Sequence, residues 1–260
     1  MDVVFLIDAS ASVGENNFRG ELGFVRKLIR SFNLEPSMTR IAIVSFASRG
    51  QIIRHIDHIS QPLGFDAKCH LMSRQLDNIS YSGGGTYTYG ALMEAHVLLK
   101  SSRTDAEKVV FLVTDGFSNG GDPRSPARLL KDFGATIFTF GIQTGNIDEL
   151  RDIASEPSYA YNYLLNSFSE LEILARKAVH RDFKIGPYVT ADLQSCELVC
   201  AKDRIDTKCC DPTASCSCGT GSGRYKCMCP VGYTGSGLTG SCKHRVKKLI
   251  SLKTSGDEKL

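Results

Sequence analysis

Four short runs rich in β-branched residues, Val3–Ile7, Ile41–Phe46, Val109–Val113 and Thr136–Ile142, are almost continuously apolar. A strand with one wet face alternates apolar and polar residues. A run without alternation is buried on both faces, as in a mainly parallel sheet covered by helices. Between the runs the periodicity changes: Phe18, Leu22, Val25, Ile29 and Phe32 step by four, three, four and three residues, one stripe of a helix. Helices are also expected over 66–79, Tyr87–Lys100, Arg124–Phe133, Ile147–Ala154 and around Phe168–Ala178, with Gln51–Arg54 an edge strand hairpinned to the second run. The alternation predicts an α/β fold, a doubly wound, mainly parallel sheet with helices on both faces. Ligands of such sheets bind at the carboxyl ends of the strands, so the residues that follow each run carry the functional argument.

The cysteines divide the chain. Of ten, only Cys69 precedes residue 196; the rest are Cys196, Cys200, Cys209, Cys210, Cys216, Cys218, Cys227, Cys229 and Cys242. That density reads as a disulfide or metal scaffold. Residues 1–182 have enough apolar sequence for a core of their own, whereas 183–242 is poor in large apolar residues and needs cross-links. The break is expected at 182–188, where Gly186-Pro187 stops any helix. Residues 243–260 read as a basic tail expected to be disordered, with Lys243, Arg245, Lys247, Lys248, Lys253 and Lys259 against Asp257 and Glu258.

Charge excludes one class of function. Removing the tail's six basic and two acidic residues from the chain's 31 and 28 leaves 25 against 26, so the folded part is near neutral. A nucleic-acid binder carries its basic face on the domain. The longest apolar runs are about five residues against the roughly 20 of a membrane span, so no bilayer crossing is expected. Met1-Asp2 leads straight into Val3–Ile7 and Asp8, which is not an export signal, although the cysteines ask for an oxidising compartment. The expectation that reconciles the two is a fragment or alternative form of a longer secreted protein. On export, Asn78-Ile-Ser80 becomes the glycosylation candidate.

After the first run comes Asp8-Ala-Ser10-Ala-Ser12; before the helix at Tyr87 comes Gly83-Gly-Gly-Thr86; after the third run comes Thr114-Asp115-Gly116. Each has a structural explanation alone: a capping box Ser12-Val-Gly-Glu15, a flexible glycine loop, a turn dipeptide. Together Asp8, Ser10, Ser12, Thr86 and Asp115 make an all-oxygen set of two carboxylates and three hydroxyls. Such a set suits a hard cation such as Mg²⁺, which wants six oxygens and tolerates water. A position left open on a cation with only two protein carboxylates stays electrophilic toward an incoming Asp or Glu.

Asp-x-Ser-x-Ser, the Thr after a glycine-rich loop and Thr-Asp-Gly resemble the metal-ion-dependent adhesion site of von Willebrand factor type A domains, over about residues 2–180. The resemblance implies Mg²⁺ or Mn²⁺ on Asp8, Ser10, Ser12, Thr86 and Asp115, and an extracellular protein ligand that presents Asp or Glu. The stretches Asn17–Lys27, Ile79–Thr88 and Ser118–Arg124 also resemble large secreted modular proteins of the matrix. Cys227-Met-Cys229-Pro-Val-Gly232-Tyr233 closing at Cys242 resembles the end of an EGF-like module, and by that resemblance Cys229 pairs with Cys242. Zinc on Cys216-x-Cys218 and Cys227-x-Cys229 is the rival, disfavoured because zinc knuckles space their thiols by two to four residues.

Enzyme readings fit less well. A phosphatase of the Asp-x-Asp type would need an acid where Ser10 stands; Gly83-Gly-Gly-Thr86 lacks the lysine of a phosphate loop; Ser10 has no Gly-x-Ser-x-Gly elbow. His55 and His58 form at most a weak metal pair. The sequence therefore predicts an adhesion module, not an enzyme, that captures a partner carboxylate through its cation. The alternative is a cation that only stabilises the fold, with partners binding at the cysteine-rich module or the tail. That tail offers a glycosaminoglycan a screened electrostatic contact, its simpler role being a solvated end.

Overall fold

The computed structural model describes residues 1–32, 34–61, 68, 71, 75–142, 147–167, 170, 211, 213–218, 225–238 and 240–244. They fall in two compact units, the first within 1–170 and the second within 211–244.

The first unit is built on a six-stranded sheet. Its strands are β1 (Asp2–Asp8), β2 (Arg40–Phe46), β3 (Ile52–Asp57), β4 (Lys108–Thr114), β5 (Ala135–Ile142) and β6 (Asn162–Leu165), in the order β3-β2-β1-β4-β5-β6. All neighbours are parallel except β3, which runs antiparallel to β2 at the edge. The helices are α1 (Gly14–Ser31), α2 (Thr88–Leu99), α3 (Arg124–Asp132), α4 (Ile147–Ile153) and the one-turn α5 (Ser158–Tyr161). The four apolar runs are therefore the four inner strands, and the edge strand at residue 52 forms as expected.

Two cores explain why these runs do not alternate. Val3, Phe5 and Ile7 of β1 face Phe18, Leu22, Val25, Leu28 and Ile29 of α1, while Val4 and Leu6 face Ala91, Leu92 and Ala95 of α2. Phe111 of β4 stacks at 5.2 Å on Phe5 and at 5.1 Å on Phe138, and Phe24 of α1 meets Phe140 edge-on at 5.1 Å. A fully buried side chain of this size contributes about 1.5–3 kcal/mol, so the α1 face anchors the domain. At the amino ends of the strands Arg103 donates Nη2 to the buried Asp2 carboxylate at 2.7 Å and to the Met38 carbonyl at 2.8 Å.

Some expectations differ or fall elsewhere. The capping box does not form: α1 starts at Gly14 with Val13 as its N-cap and no side-chain cap, because the Ser12 hydroxyl is used by Asp115. The helix expected over 66–79 falls mostly outside the described residues, its end forming a turn in which the Asn78 N–H donates to the Gln75 carbonyl. The boundary at 182–188, the stripe from Phe168 to Ala178, Cys69, Cys196, Cys200, Cys209 and Cys210 also lie outside them, as does the basic tail beyond its first two residues, Lys243 and His244, which pair as a strand.

The second unit contains two small sheets, β7 (Ser215–Cys218) with β8 (Tyr225–Met228) and β9 (Tyr233–Thr234) antiparallel to β10 (Lys243–His244). Cys229 is bonded to Cys242 with Cα atoms 5.4 Å apart, as the resemblance implies. Cys227 is disulfide-bonded too, so this Cys-x-Cys pair offers no thiolates to zinc. Gly235 turns the chain at φ 151°, where a Cβ would stand 2.0 Å from the Ser241 carbonyl oxygen, closer than any side chain allows.

Candidate metal centre

The site is assembled by loops at the carboxyl ends of β1, β2 and β4, joined by the segment that enters α2. Backbone bonds lace them together. The Ala9 N–H donates to Phe46 O at 2.7 Å, Gly83 N–H to Ala9 O at 2.8 Å and Ala11 N–H to Gly84 O at 2.9 Å. Tyr87 N–H reaches Ala47 O and Asn119 N–H reaches Thr86 O, both at 2.7 Å. The Tyr81 hydroxyl donates to the Ser10 carbonyl at 3.1 Å, and the Ser48 hydroxyl accepts the Gly85 N–H at 2.8 Å. Gly84 is required where it stands: its φ is 102°, and a Cβ would lie 2.6 Å from the Ser48 oxygen.

Within this frame the five expected side chains converge. Asp8 is fully buried; its Oδ1 accepts the Ser10 N–H at 2.8 Å and its Oδ2 accepts the Thr114 hydroxyl. Ser10 Oγ and Ser12 Oγ are 3.0 Å apart, and Ser12 Oγ donates to Asp115 Oδ1 at 2.8 Å. Thr86 joins them through Gly116, whose missing Cβ would lie 3.3 Å from both Ser12 Oγ and Thr86 Oγ1. Asp8, Ser10 and Thr86 are buried, Asp115 is half-buried and Ser12 is exposed, so the cluster is closed below and open above.

Burial pushes the Asp8 carboxyl from 3.8 up to about 6, against the lowering effect of the Thr114 and Ser10 hydrogen bonds and with a smaller upward push from Asp115. Burial raises Asp115 as well. A third acid lies behind them. Glu21, on the inner face of α1, is fully buried, and neither carboxylate oxygen has a hydrogen-bond partner among the described residues. Burial first, then the charges of Asp8 and Asp115, hold its proton well above the ordinary range. Buried polar groups are normally satisfied, yet Asp8 and Asp115 have no basic side chain bonded to them among the described residues, and their charges reach Glu21 as well. That deficit, and a donor set made only of oxygen, fit a hard divalent cation. No group of three or more His, Cys, Asp or Glu arranged for a metal occurs among the described residues, as expected of a site whose other donors are hydroxyls.

The sequence missed Glu21 and Thr114. Glu21 carried a signal, an acid between Phe18 and Val25 on the buried stripe of α1; Thr114 stood in the Thr-Asp-Gly motif, but its bond to Asp8 depends on β4 lying beside β1. The weak histidine pair does not gather: His55 Nε2 is 2.7 Å from the buried Ser45 hydroxyl. Asn78 is exposed in its turn. Among the described residues no helix is long and apolar enough to cross a membrane.

Comparison with known proteins agrees with this geometry. Residues 2–177 match the family model for the von Willebrand factor type A domain. Over 242 residues the chain is 48% identical to the rat (Rattus norvegicus) protein named sushi, von Willebrand factor type A, EGF and pentraxin domain-containing protein 1, which covers 93% of this chain and 7% of that one. The chain thus spans a small part of that relative's length. It is 32% identical to bovine (Bos taurus) cochlin over 188 residues, 70% of this chain and 33% of cochlin. Among solved structures, proximal thread matrix protein 1 from the mussel byssus, with zinc occupying its MIDAS motif, superposes with a TM-score of 0.57 at 28% identity, over 68% of this chain and 44% of that one.

Proposed function

The chain belongs to the von Willebrand factor type A domain family, and from that membership we propose that its strand-end cluster holds a divalent cation through which the domain captures a carboxylate of an extracellular protein. Asp8, Ser10, Ser12, Thr86 and Asp115 hold the ion directly or through water. Mg²⁺ or Mn²⁺ suits two carboxylates and three hydroxyls, and the mussel relative carries zinc at its own motif. The observation that carries the reading is the gathering of these oxygens at the strand ends, with Asp8 fully buried and Asp115 half-buried. A cation here supplies a Lewis-acidic centre for an incoming carboxylate oxygen. The exposed Ser12 and half-buried Asp115 leave that side accessible, and the Asp8 floor stays dry.

The reading is one of binding, not catalysis. Ser12 donates to the Asp115 carboxylate and lies beside Ser10, but in this reading those same oxygens are the ones that hold the cation, directly or through water, and act as its ligands. An EGF-like second unit and a secreted, matrix setting belong to the same proposal, supported by the Cys229–Cys242 bond and by the names of the relatives.

Thermal unfolding of the full chain against Mg²⁺ and Mn²⁺ tests the site. A ligand that binds only the native state adds about 2.7 kcal/mol at a hundred times its dissociation constant. The midpoint should rise in wild type and stay fixed in Asp115→Ala. No rise at millimolar metal in a folded wild type refutes the cation site. If metal stabilises the chain but partners are retained in EDTA, the cation is structural and capture is refuted.

A further inference from the structure

Arg49 is tied into the metal-bearing end without being given an acid. It follows Ser48, whose hydroxyl holds the Gly85 N–H next to Thr86. Its guanidinium lies over the Tyr87 ring, 5.3 Å from the centroid, and Nη2 donates to the Gly120 carbonyl at 3.4 Å. Gly120 sits at φ 86°, and a Cβ on it would come within 3.1 Å of the same ring. Three loops thus position one cation: the loop after β2, the segment carrying Thr86, and the loop begun by Asp115. Elsewhere in the domain Arg19, Arg26, Arg54, Arg103, Arg124 and Arg151 each hold a carboxylate, while Arg40, spent on the Pro36 and Ile59 carbonyls at the amino end of β2, and Arg128 on α3 have none among the described residues. Arg49 is exposed and has no carboxylate partner among the described residues. A guanidinium has five N–H donors in a rigid fork, and stacking on an aromatic face leaves its edge free.

Charge complementarity says what this edge is for. The cation takes the first carboxylate of a partner, and the Arg49 guanidinium, exposed and held by the Tyr87 ring and the Gly120 carbonyl, presents a separate positive fork on the same end. We propose that the segment captured by this domain carries two acids, the first for the cation and the second for the Arg49 guanidinium. This rests on the cation-capture reading and specifies its partner as an acidic segment, not a single exposed Asp or Glu. The second contact is a rim charge pair, which acts mainly on association rate and salt dependence.

The test selects a random 12-residue peptide library on the immobilised full chain with Mg²⁺ and recovers binders by EDTA elution. Binders should carry a second Asp or Glu, and its replacement by Asn or Gln should weaken binding about two- to fivefold, as expected of a rim charge pair. Arg49→Gln should cause the same loss and flatten the salt dependence, while leaving the Mg²⁺ rise in thermal midpoint unchanged. In the Arg49→Gln background, removing the second acid should cost nothing further. EDTA-sensitive binders with a single acid, or binders indifferent to Arg49→Gln, overturn this inference and leave cation capture standing. A library with no EDTA-sensitive binders, on a chain whose midpoint responds to Mg²⁺, overturns both.

Discussion

Asp8→Asn should make the metal-free protein more stable. Asp8 is fully buried, and its carboxyl is pushed from 3.8 to about 6. Between those values the folded chain keeps a proton that the unfolded chain has released, so stability falls as pH rises from about 4 to about 6 and stays lowered above it. A displacement of about two units at 1.36 kcal/mol each amounts to about 3 kcal/mol. Asparagine keeps an oxygen to accept the Ser10 N–H, and the Thr114 hydroxyl can turn to accept its amide. In EDTA at about pH 7.5 the variant should therefore gain up to about 3 kcal/mol, or about 6–12 °C in midpoint for a domain of this size. At about pH 3, below both values, the gain should nearly vanish, because wild type is then mostly protonated at this position in both states. With Mg²⁺ the order should reverse, since only wild type is stabilised. Calorimetric midpoints at two pH values, with EDTA and with Mg²⁺, decide it. A variant no more stable than wild type at neutral pH in EDTA, or a gain independent of pH, refutes the account.

Other consequences are as direct. Glu21→Leu removes a buried carboxyl without hydrogen bonds, so the metal-free domain should gain about 1–3 kcal/mol by chemical denaturation at neutral pH, and less in acid, where Glu21 is protonated in both states. Gly116→Ala puts a methyl 3.3 Å from Ser12 Oγ and Thr86 Oγ1. The fold should survive, and the metal-dependent rise in midpoint should need at least about tenfold more Mg²⁺, a loss of about 1.4 kcal/mol in binding. Asn78 is exposed in a turn whose next residue, Ile79, is buried and fixed by Arg19 at 3.0 Å. In chain sent through the secretory pathway of human cells, mass spectrometry after glycosidase treatment should find a released N-glycan at Asn78, lost in Ser80→Ala and kept in Ser80→Thr.

The inner sheet was legible because its signal is local. A run such as Val109–Val113 has apolar side chains on both faces, and only a strand between two helical layers can use them. The α1 stripe was legible for the same reason, from Phe18 to Phe32. β6 was not. Asn162–Leu165 follows the one-turn α5 and owes its strand form to pairing with β5, Thr139 against Asn162 through Ile142 against Leu165, which its own residues do not announce. The five side chains proposed for the cation were visible because each follows a strand or enters a helix. What surrounds them was not visible, because Thr114, Tyr81, Ser48 and Glu21 matter only through neighbours distant in sequence. The Ser12 hydroxyl is the instructive case. A local pattern assigned it to the start of α1, and a residue 103 positions away claimed it.

That distance also sets a timetable. Asp8 and Asp115 meet only when β1 lies in register against β4, Ile7 beside Val113, and the chain between them must close before any of its contacts can reward the closure. An early folding species holding only α1 or the β2–β3 hairpin has none of the five side chains in place and no reason to bind an ion. A divalent cation should then slow the unfolding limb of the kinetics and leave the folding limb nearly untouched, the behaviour of an interaction absent from the transition state. Acquisition of the metal signal during refolding would therefore time the closure of the β1–β4 pair.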